Sequence, residues 1–390
     1  MSARLGTYLD HGATSPLRPE VASAMAEARS QPLGNPSGSH RPAQRARRLL
    51  EESRDEVAGQ LGRSPGEIVF TSGGTESANL AVFGTVDAAD RGRAPLSVVS
   101  SAVEHPAVRE SCRAVARSSG AIWCEIPVDD RGVVALDALI ELIEPGTVLV
   151  AVMLANNETG VIQPLPAVVD IVRAHSARAR VLTDAVQATP FIDVARHAAA
   201  ADLVAISAHK VGGPVGVGAL AVSPRTDLAP HQFGGGQERE RRSGTQDVVG
   251  AVGLATALRL AAAERGDAFR RVGALRERLA AGLMASVPGA DRTVPPDVPT
   301  LPGHLHLCFE GVEREELLVA LSERGVCASG GSSCASGALE ASYVLAAMGI
   351  PGPRARGAIR FTLGYDTDEA DIERALAVVP AVVASLRHDP

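Results

Sequence analysis

One amine stands alone in this sequence. Lys210 is the only lysine among 390 residues, and the other 37 of the 38 basic residues are Arg. Arg serves as well as Lys wherever a charge is simply solvated, so a single surviving surface lysine is the plain alternative. The two residues differ where a neutral amine must act as a nucleophile: a guanidinium stays protonated, whereas a lysine amine can lose its proton and form a Schiff base. Lys210 also stands where a reactive group belongs. Leu203-Val204-Ala205-Ile206 has the pattern of a short buried strand, Ser207-Ala208-His209-Lys210 leaves it, and Val211-Gly212-Gly213-Pro214 turns the chain.

A second stretch offers an anion site. Ile68-Val69-Phe70 reads as a strand that breaks into Thr71-Ser72-Gly73-Gly74-Thr75-Glu76-Ser77 before a helical stretch from Ala78 to Ala89. Strand, glycine turn and helix start together present free N–H groups and hydroxyls to a phosphate. The spacing is neither a Walker loop nor a dinucleotide fingerprint, and many α/β turns are glycine-rich for steric reasons alone. A Schiff-base lysine, a phosphate turn and an acid at a neighbouring strand end are what pyridoxal phosphate requires. Lys210 would be the covalent anchor, while Gly74, Thr75, Ser207 and His209 would hold the phosphate. Asp184 would pair with the pyridinium nitrogen, Gln187 with the ring hydroxyl, and His105 would stack on the ring. Each has a plainer reading: Asp184 as a helix cap, Gln187 on a helix surface, His105 as a satisfied histidine.

Cys334 is the remaining reactive candidate. It sits in Gly325-Val326-Cys327-Ala328-Ser329-Gly330-Gly331-Ser332-Ser333-Cys334-Ala335-Ser336-Gly337, whose small residues cannot build a core. A thiol on such a loop is costly to keep unless its reactivity is used, the alternative being an inert cysteine in a glycine turn. Cys112, Cys124 and Cys308 read as small core residues and Cys327 as structural. Five cysteines without a C-x-x-C pair argue against a disulfide framework. A metal or iron–sulfur binder using His304, His306, Cys308, Cys327 and Cys334 is the alternative from another class, but its spacing fits no standard zinc pattern. No resident metal is expected.

These groups need a scaffold. Apparent strands at Ser97–Ser100, Val148–Leu154, Val181–Thr183, Leu203–Ile206 and Val217–Val222 alternate with helical stretches, which implies a mainly parallel sheet covered on both faces, with ligand loops at the carboxyl ends. Glu104-His105, Asn156-Asn157-Glu158, Asp184 and His209-Lys210 all follow such strands. Gly216-Val217-Gly218-Ala219-Leu220-Ala221 satisfies G-x-G-x-x-A but enters a strand, so the Rossmann reading fails on context. Helices are expected over Pro19–Arg29, Pro42–Leu61, Ala341–Met348 and Glu369–Leu386. A long one, or a pair, over Val248–Leu283 would bridge to a second domain. Pro288–Pro302 reads as a connector, Leu305–Phe309 as a half-buried strand, and 234–245 as a solvated loop. A net charge of −7 leaves no basic footprint for nucleic acid, and no segment reads as a signal or membrane span. A cytoplasmic enzyme is the expectation.

Six ordered motifs carry a family resemblance: Tyr8-Leu9-Asp10-His11-Gly12-Ala13-Thr14, Phe70 to Ser77, Ala155-Asn156-Asn157-Glu158-Thr159-Gly160, Thr183-Asp184-Ala185-Val186-Gln187, Ser207 to Lys210, and Arg242-Ser243-Gly244-Thr245. Together they resemble the NifS/IscS-type cysteine desulfurases over nearly the whole chain. The resemblance implies the α/β fold type I of pyridoxal-phosphate transferases in a homodimer. A large domain over 13–258 would hold a mainly parallel seven-stranded sheet flanked by helices, and residues 1–12 with 259–390 would form a smaller α+β domain.

It further implies that Thr245 reaches the partner protomer's cofactor phosphate, in place of the solvated-loop reading. Asn157 would lie beside the cofactor, and Asn35, Asn157 and Arg360 would meet the substrate, Asn35 and Arg360 holding its carboxylate. Cys334 would take sulfur from L-cysteine as a persulfide, releasing alanine, with Lys210 or His105 moving protons. The sulfur would pass to an acceptor protein, an iron–sulfur scaffold or a thiolation enzyme, with Cys334 as a transient iron–sulfur ligand. The alternatives are a selenocysteine lyase or another class V aminotransferase or lyase. Three departures from the family pattern are visible: Gly12 for the usual Ala, Val215 where Lys is common, and Ser332-Ser333 before Cys334.

Overall fold

A computed structural model of the protein describes residues 6–89, 95–331 and 342–388. Its strands, in chain order, are β1 (Thr7–Tyr8), β2 (Ile68–Thr71), β3 (Ser97–Ser101), β4 (Ile122–Ile126), β5 (Thr147–Ala151), β6 (Arg180–Asp184), β7 (Leu203–Ser207), β8 (Gly218–Val222), β9 (Ala290–Arg292), β10 (His304–Phe309), β11 (Val326–Cys327) and β12 (Ala358–Thr362). Seven of them form one sheet in the order β2-β8-β7-β6-β5-β3-β4. The pairings β7-β6, β6-β5, β5-β3 and β3-β4 are parallel, while β8 runs antiparallel to both its neighbours.

Period-two alternation explains why this sheet is covered on both sides. Val98, Leu149, Leu203 and Leu220 pack with helices Gly74–Ala88 and Pro106–Ser119. Val99, Val150, Val204 and Ala219 face helices Arg41–Leu61, Leu165–His175 and the start of Val248–Ser286. The strand β4 was not legible as an apolar run because it is the half-exposed edge, with Trp123, Cys124 and Glu125 only partly covered.

The Val248–Ser286 helix leaves the large sheet and buries Val272, Leu275, Leu279 and Leu283 farther along. A second, antiparallel sheet, β12-β10-β9, lies there, and the connector expected over 288–302 contains β9. The N-terminal segment crosses to this part of the molecule: β1 pairs with β11, and Asp10 bridges to Thr362. The expectation of a half-buried strand at Leu305–Phe309 is corrected here. All of β10 is buried, and its polar side, His304, His306 and Cys308, is covered as fully as its apolar side. No helix among the described residues is long and apolar enough to cross a membrane.

Candidate active site

Lys210 ends a single 3-10 turn, Ala208–Lys210, directly after β7. The N-terminal motif wraps that turn: Ser15 N donates to His209 O at 2.8 Å, and Ser15 Oγ to Lys210 O at 3.0 Å. The amine donates to Gly12 O at 2.5 Å and Ala13 O at 2.7 Å. Backbone carbonyls of a distant segment therefore aim the amine, a role that nothing in the local sequence of either segment announces.

The anion turn forms as expected, except that the helix starts at Gly74, four residues earlier than the apolar pattern suggests. Gly74, Thr75 and Glu76 thus occupy the first turn, where N–H groups have no helical acceptor. Gly73, at φ 147°, makes a turn that side chains resist. The second glycine of the decoy motif is explained by this turn: a Cβ on Gly218 would stand 2.7 Å from Gly73 Cα and 2.6 Å from Ile206 O.

Asp184 ends β6, and its Oδ1 accepts from Val186 N at 2.9 Å. Burial pushes its carboxyl above the usual range, against the pull of His105 and Lys210. The His105 Nδ1 accepts from Ala107 N at 3.1 Å, capping the Pro106–Ser119 helix. With Nδ1 so engaged, the neutral ring carries its proton on Nε2, and burial favours that neutral form. Gln187 Nε2 donates to Gly12 O, the carbonyl that Lys210 also uses. His209 is held to Thr14 Oγ1 at 3.2 Å, and burial lowers its pKa to about 4.

Across from these strand ends stands Arg360, on β12 and only 2 % exposed. Its Nη1 donates to Asn157 O at 2.7 Å and its Nη2 to Asp10 Oδ1 at 2.9 Å, while Nε is buried without a protein partner. Asp10, the ion-pair partner of Arg360, is not singled out by the sequence; its position in the Tyr8–Thr14 motif is the only signal. Gly12 is explained here too, because a Cβ there would approach Arg360 Cζ to 3.2 Å and Thr362 Cγ2 to 3.0 Å.

Two buried acids were likewise read only as polar strand-end residues. Glu104 accepts at Oε1 from Ser101 Oγ (2.6 Å) and Met153 N (2.7 Å), and burial raises its pKa to about 8. Glu158 accepts from Ser342 Oγ at 2.6 Å, and Tyr343 donates its hydroxyl to Glu104 O at 2.6 Å.

Lys210, Asp184, His105, Gly74, Thr75, Asn157, Gln187, Ser207, His209 and Arg360 all line one cavity of about 710 Å³, within the usual range for a small-molecule site. Asn35 and Thr245 do not. Asn35 is exposed, its Oδ1 accepting from Ser37 N at 3.0 Å, so this chain does not bring it to the cavity that Arg360 lines. Thr245 is exposed at the end of the 234–245 loop, which is largely open to solvent but is also ordered by hydrogen bonds and ion pairs around the buried Glu238. Cys334 and the start of the expected helix at Ala341 lie outside the described residues. The cysteines assigned to the core behave so at Cys112 and Cys308, where burial raises both thiols, while Cys124 is partly exposed. His304 and His306 are buried and kept neutral, and no cluster of three or more metal-ligating side chains occurs among the described residues.

The site suits pyridoxal phosphate. An acid raised by burial at the cavity floor would be relieved by a protonated pyridine, and the buried Asn157 Oδ1 has no protein partner. At the anion turn, a Cβ on Gly74 would meet Val186 Cγ2 at 2.9 Å, so the close backbone approach needs glycine.

Comparison with known proteins agrees. The family described as Aminotransferase class-V matches residues 7–375. An IscS-like cysteine desulfurase from Mycobacterium tuberculosis is 39 % identical over 387 residues, covering 98 % of this chain and 97 % of its own. A solved NifS-like protein superposes with a TM-score of 0.91 at 34 % identity, covering 98 % of this chain and all of that one. A solved structure of SspA in complex with cysteine gives a TM-score of 0.78 at 28 % identity over 92 % of this chain and 98 % of that one.

Proposed function

We propose how this chain works from the premise that it belongs to the class-V aminotransferase family: it is a pyridoxal-phosphate-dependent cysteine desulfurase with the fold type I architecture. The observation that carries the residue assignments is the convergence of Lys210, Asp184, His105, the Gly74–Thr75 turn and Arg360 on one cavity. Lys210 would anchor the cofactor, Asp184 would hold its ring nitrogen, and Gly74, Thr75, Ser207 and His209 its phosphate, with His105, Asn157 and Gln187 around the ring. When bound, pyridoxal phosphate supplies an aldehyde for amines and a protonated ring that accepts electrons from the substrate's α-carbon.

The chain's own residues do the rest. Arg360 meets the substrate carboxylate with a guanidinium fork already oriented by Asp10 and Asn157 O. Lys210 is the proton carrier, because the Nδ1 of His105 is occupied and its Nε2 already bears a proton, which makes His105 a donor. The Cys334 thiolate attacks the substrate sulfur. A sulfur–sulfur bond forms as the Cβ–S bond breaks, its electron pair passes to Cβ, and a proton completes the methyl group of alanine. Cys334 keeps the persulfide for an acceptor protein in iron–sulfur assembly or thiolation.

Thr245, exposed and off its own cavity, would reach the partner's cofactor in a homodimer, and Asn35 would complete its contact only in that assembly or on closure. Phe233 and Val215, 82 % and 76 % exposed, support a covered face nearby. We group residues 13–258 as the large domain and 1–12 with 259–390 as the small one, because β1 pairs with β11 and the long helix joins the two parts. Free thiols at the described cysteines support a reducing, cytoplasmic setting.

Cys334→Ala tests the assignment. The variant should bind pyridoxal phosphate and L-cysteine with unchanged affinity yet release no alanine under single-turnover conditions. Undiminished alanine and sulfide would remove Cys334 from the mechanism; competition with selenocysteine would separate the lyase variant.

A further inference from the structure

We infer that Arg54 and Glu238 are positioning residues that hold Thr245 where it can reach the second protomer's cofactor phosphate; the inference rests on the cross-protomer role proposed above. Glu238, Arg239 and Glu240 have φ values of 49°, 57° and 65° and are the only non-glycine residues with positive φ among those described. A run of three left-handed L-residues is strained at every position and persists only when its surroundings impose it.

What imposes it is a buried carboxylate with four donors. Glu238 accepts from Arg54 Nη1 at 2.7 Å and Nη2 at 2.8 Å, from Phe70 N at 2.8 Å and from Gln246 Nε2 at 3.1 Å. Burial alone would raise this acid, but the Arg54 bonds outweigh it and hold the group below the usual carboxylate range. The pair also completes the open edge of β2, since Arg54 Nη1 donates to Ile68 O at 2.9 Å while Phe70 N is taken by Glu238. An apolar pair would serve stability as well, so a buried ion pair of this kind is best explained by the registry it sets.

The registry is that of the returning strand of the loop. Gly244 N donates to Gln237 Oε1 at 2.8 Å, Gln232 Nε2 to Ser243 O at 2.7 Å, and Arg242 pairs with Glu76 at 2.7 Å. Glu76 lies in the first turn of the very helix whose start lines the cavity. Thr245 is therefore bracketed by Gly244 and Gln246, both tied back to the strained turn, and is itself exposed.

The test follows release of pyridoxal phosphate from diluted holoenzyme. Thr245→Ala and Glu238→Gln should each speed release about tenfold, and the double variant no more than either alone, because the two act on one contact. Arg239→Val, at an exposed position, penalises the left-handed turn without touching the ion pair and covers the case in which Glu238→Gln does not fold. It should speed release similarly and again without adding to Thr245→Ala, whereas Arg239→Gly should match the parent enzyme. Multiplying effects, or release unchanged by Glu238→Gln or Arg239→Val, would overturn the positioning role alone. Release unchanged by Thr245→Ala would instead overturn the cross-protomer reading, and the inference with it.

Discussion

The two walls of the cavity are built by opposite means. On the strand-end wall, each functional group lies within about six residues of the end of β2, β3, β5, β6 or β7, and short turns place its backbone: His105 caps its own helix, and Asp184 accepts from Val186 two residues on. Only the side-chain aim of Lys210, Gln187 and His209 depends on the distant 12–14 segment. On the facing wall, Arg360 is held by Asp10, 350 positions away, and by Asn157 O, 203 positions away. A parallel sheet gathers local turns at one edge by its topology alone. The facing wall has no such generator, and its geometry depends on a few long-range polar contacts whose loss nothing nearby would repair.

Lys210→Ala strikes the strand-end wall, and the largest loss is expected there. Alanine formation should fall on the order of 10³-fold or more, since the variant removes the amine proposed as both covalent anchor and proton carrier. Borohydride reduction of the parent holoenzyme and peptide mapping should find the cofactor on Lys210. A coloured, active Lys210→Ala enzyme would break the comparison at its root.

Asp10→Asn weakens the facing wall and should separate the two by kinetics. Arg360 would keep its charge but lose its ionised partner, so KM for L-cysteine should rise about tenfold while kcat changes little. A fall in kcat at unchanged KM would place Asp10 with the chemistry rather than with substrate orientation.

Glu104→Gln gives the smallest effect and a sign that can be checked. The folded-state pKa of about 8 lies above the ordinary carboxylate value, so between those limits the folded chain binds a proton that the unfolded chain has lost. Stability from this group therefore declines as pH rises through that window and levels off above it. Removing the acid should raise Tm more at pH 8 than at pH 5. An equal change at both would mean that Glu104 is ionised in the fold.

Much of the strand-end wall was legible in the sequence. Buried parallel strands read as short apolar runs, and reactive residues follow them directly, so Asp184, His105, Lys210 and the Gly74 turn could all be placed from spacing. The roles of neighbouring groups were less legible. Glu104 and Glu158 read only as polar residues at strand ends, because burial is a property of what packs over them, here Tyr343 and Ser342 from far along the chain. The β10 alternation misled for the same reason: period two separates two faces but does not say whether either meets water.

The sequence by itself determined the chemistry, because a lone amine, an acid at a strand end and a glycine turn are choices of residue type, and no packing can supply an amine where there is none. Tertiary structure alone decided orientation. Which carbonyls aim Lys210, which carboxylate steadies Arg360 and which ion pair maintains a strained turn before Thr245 are contacts between segments far apart in sequence. Their energies depend on separation in space and on burial, and neither quantity is carried by any residue alone.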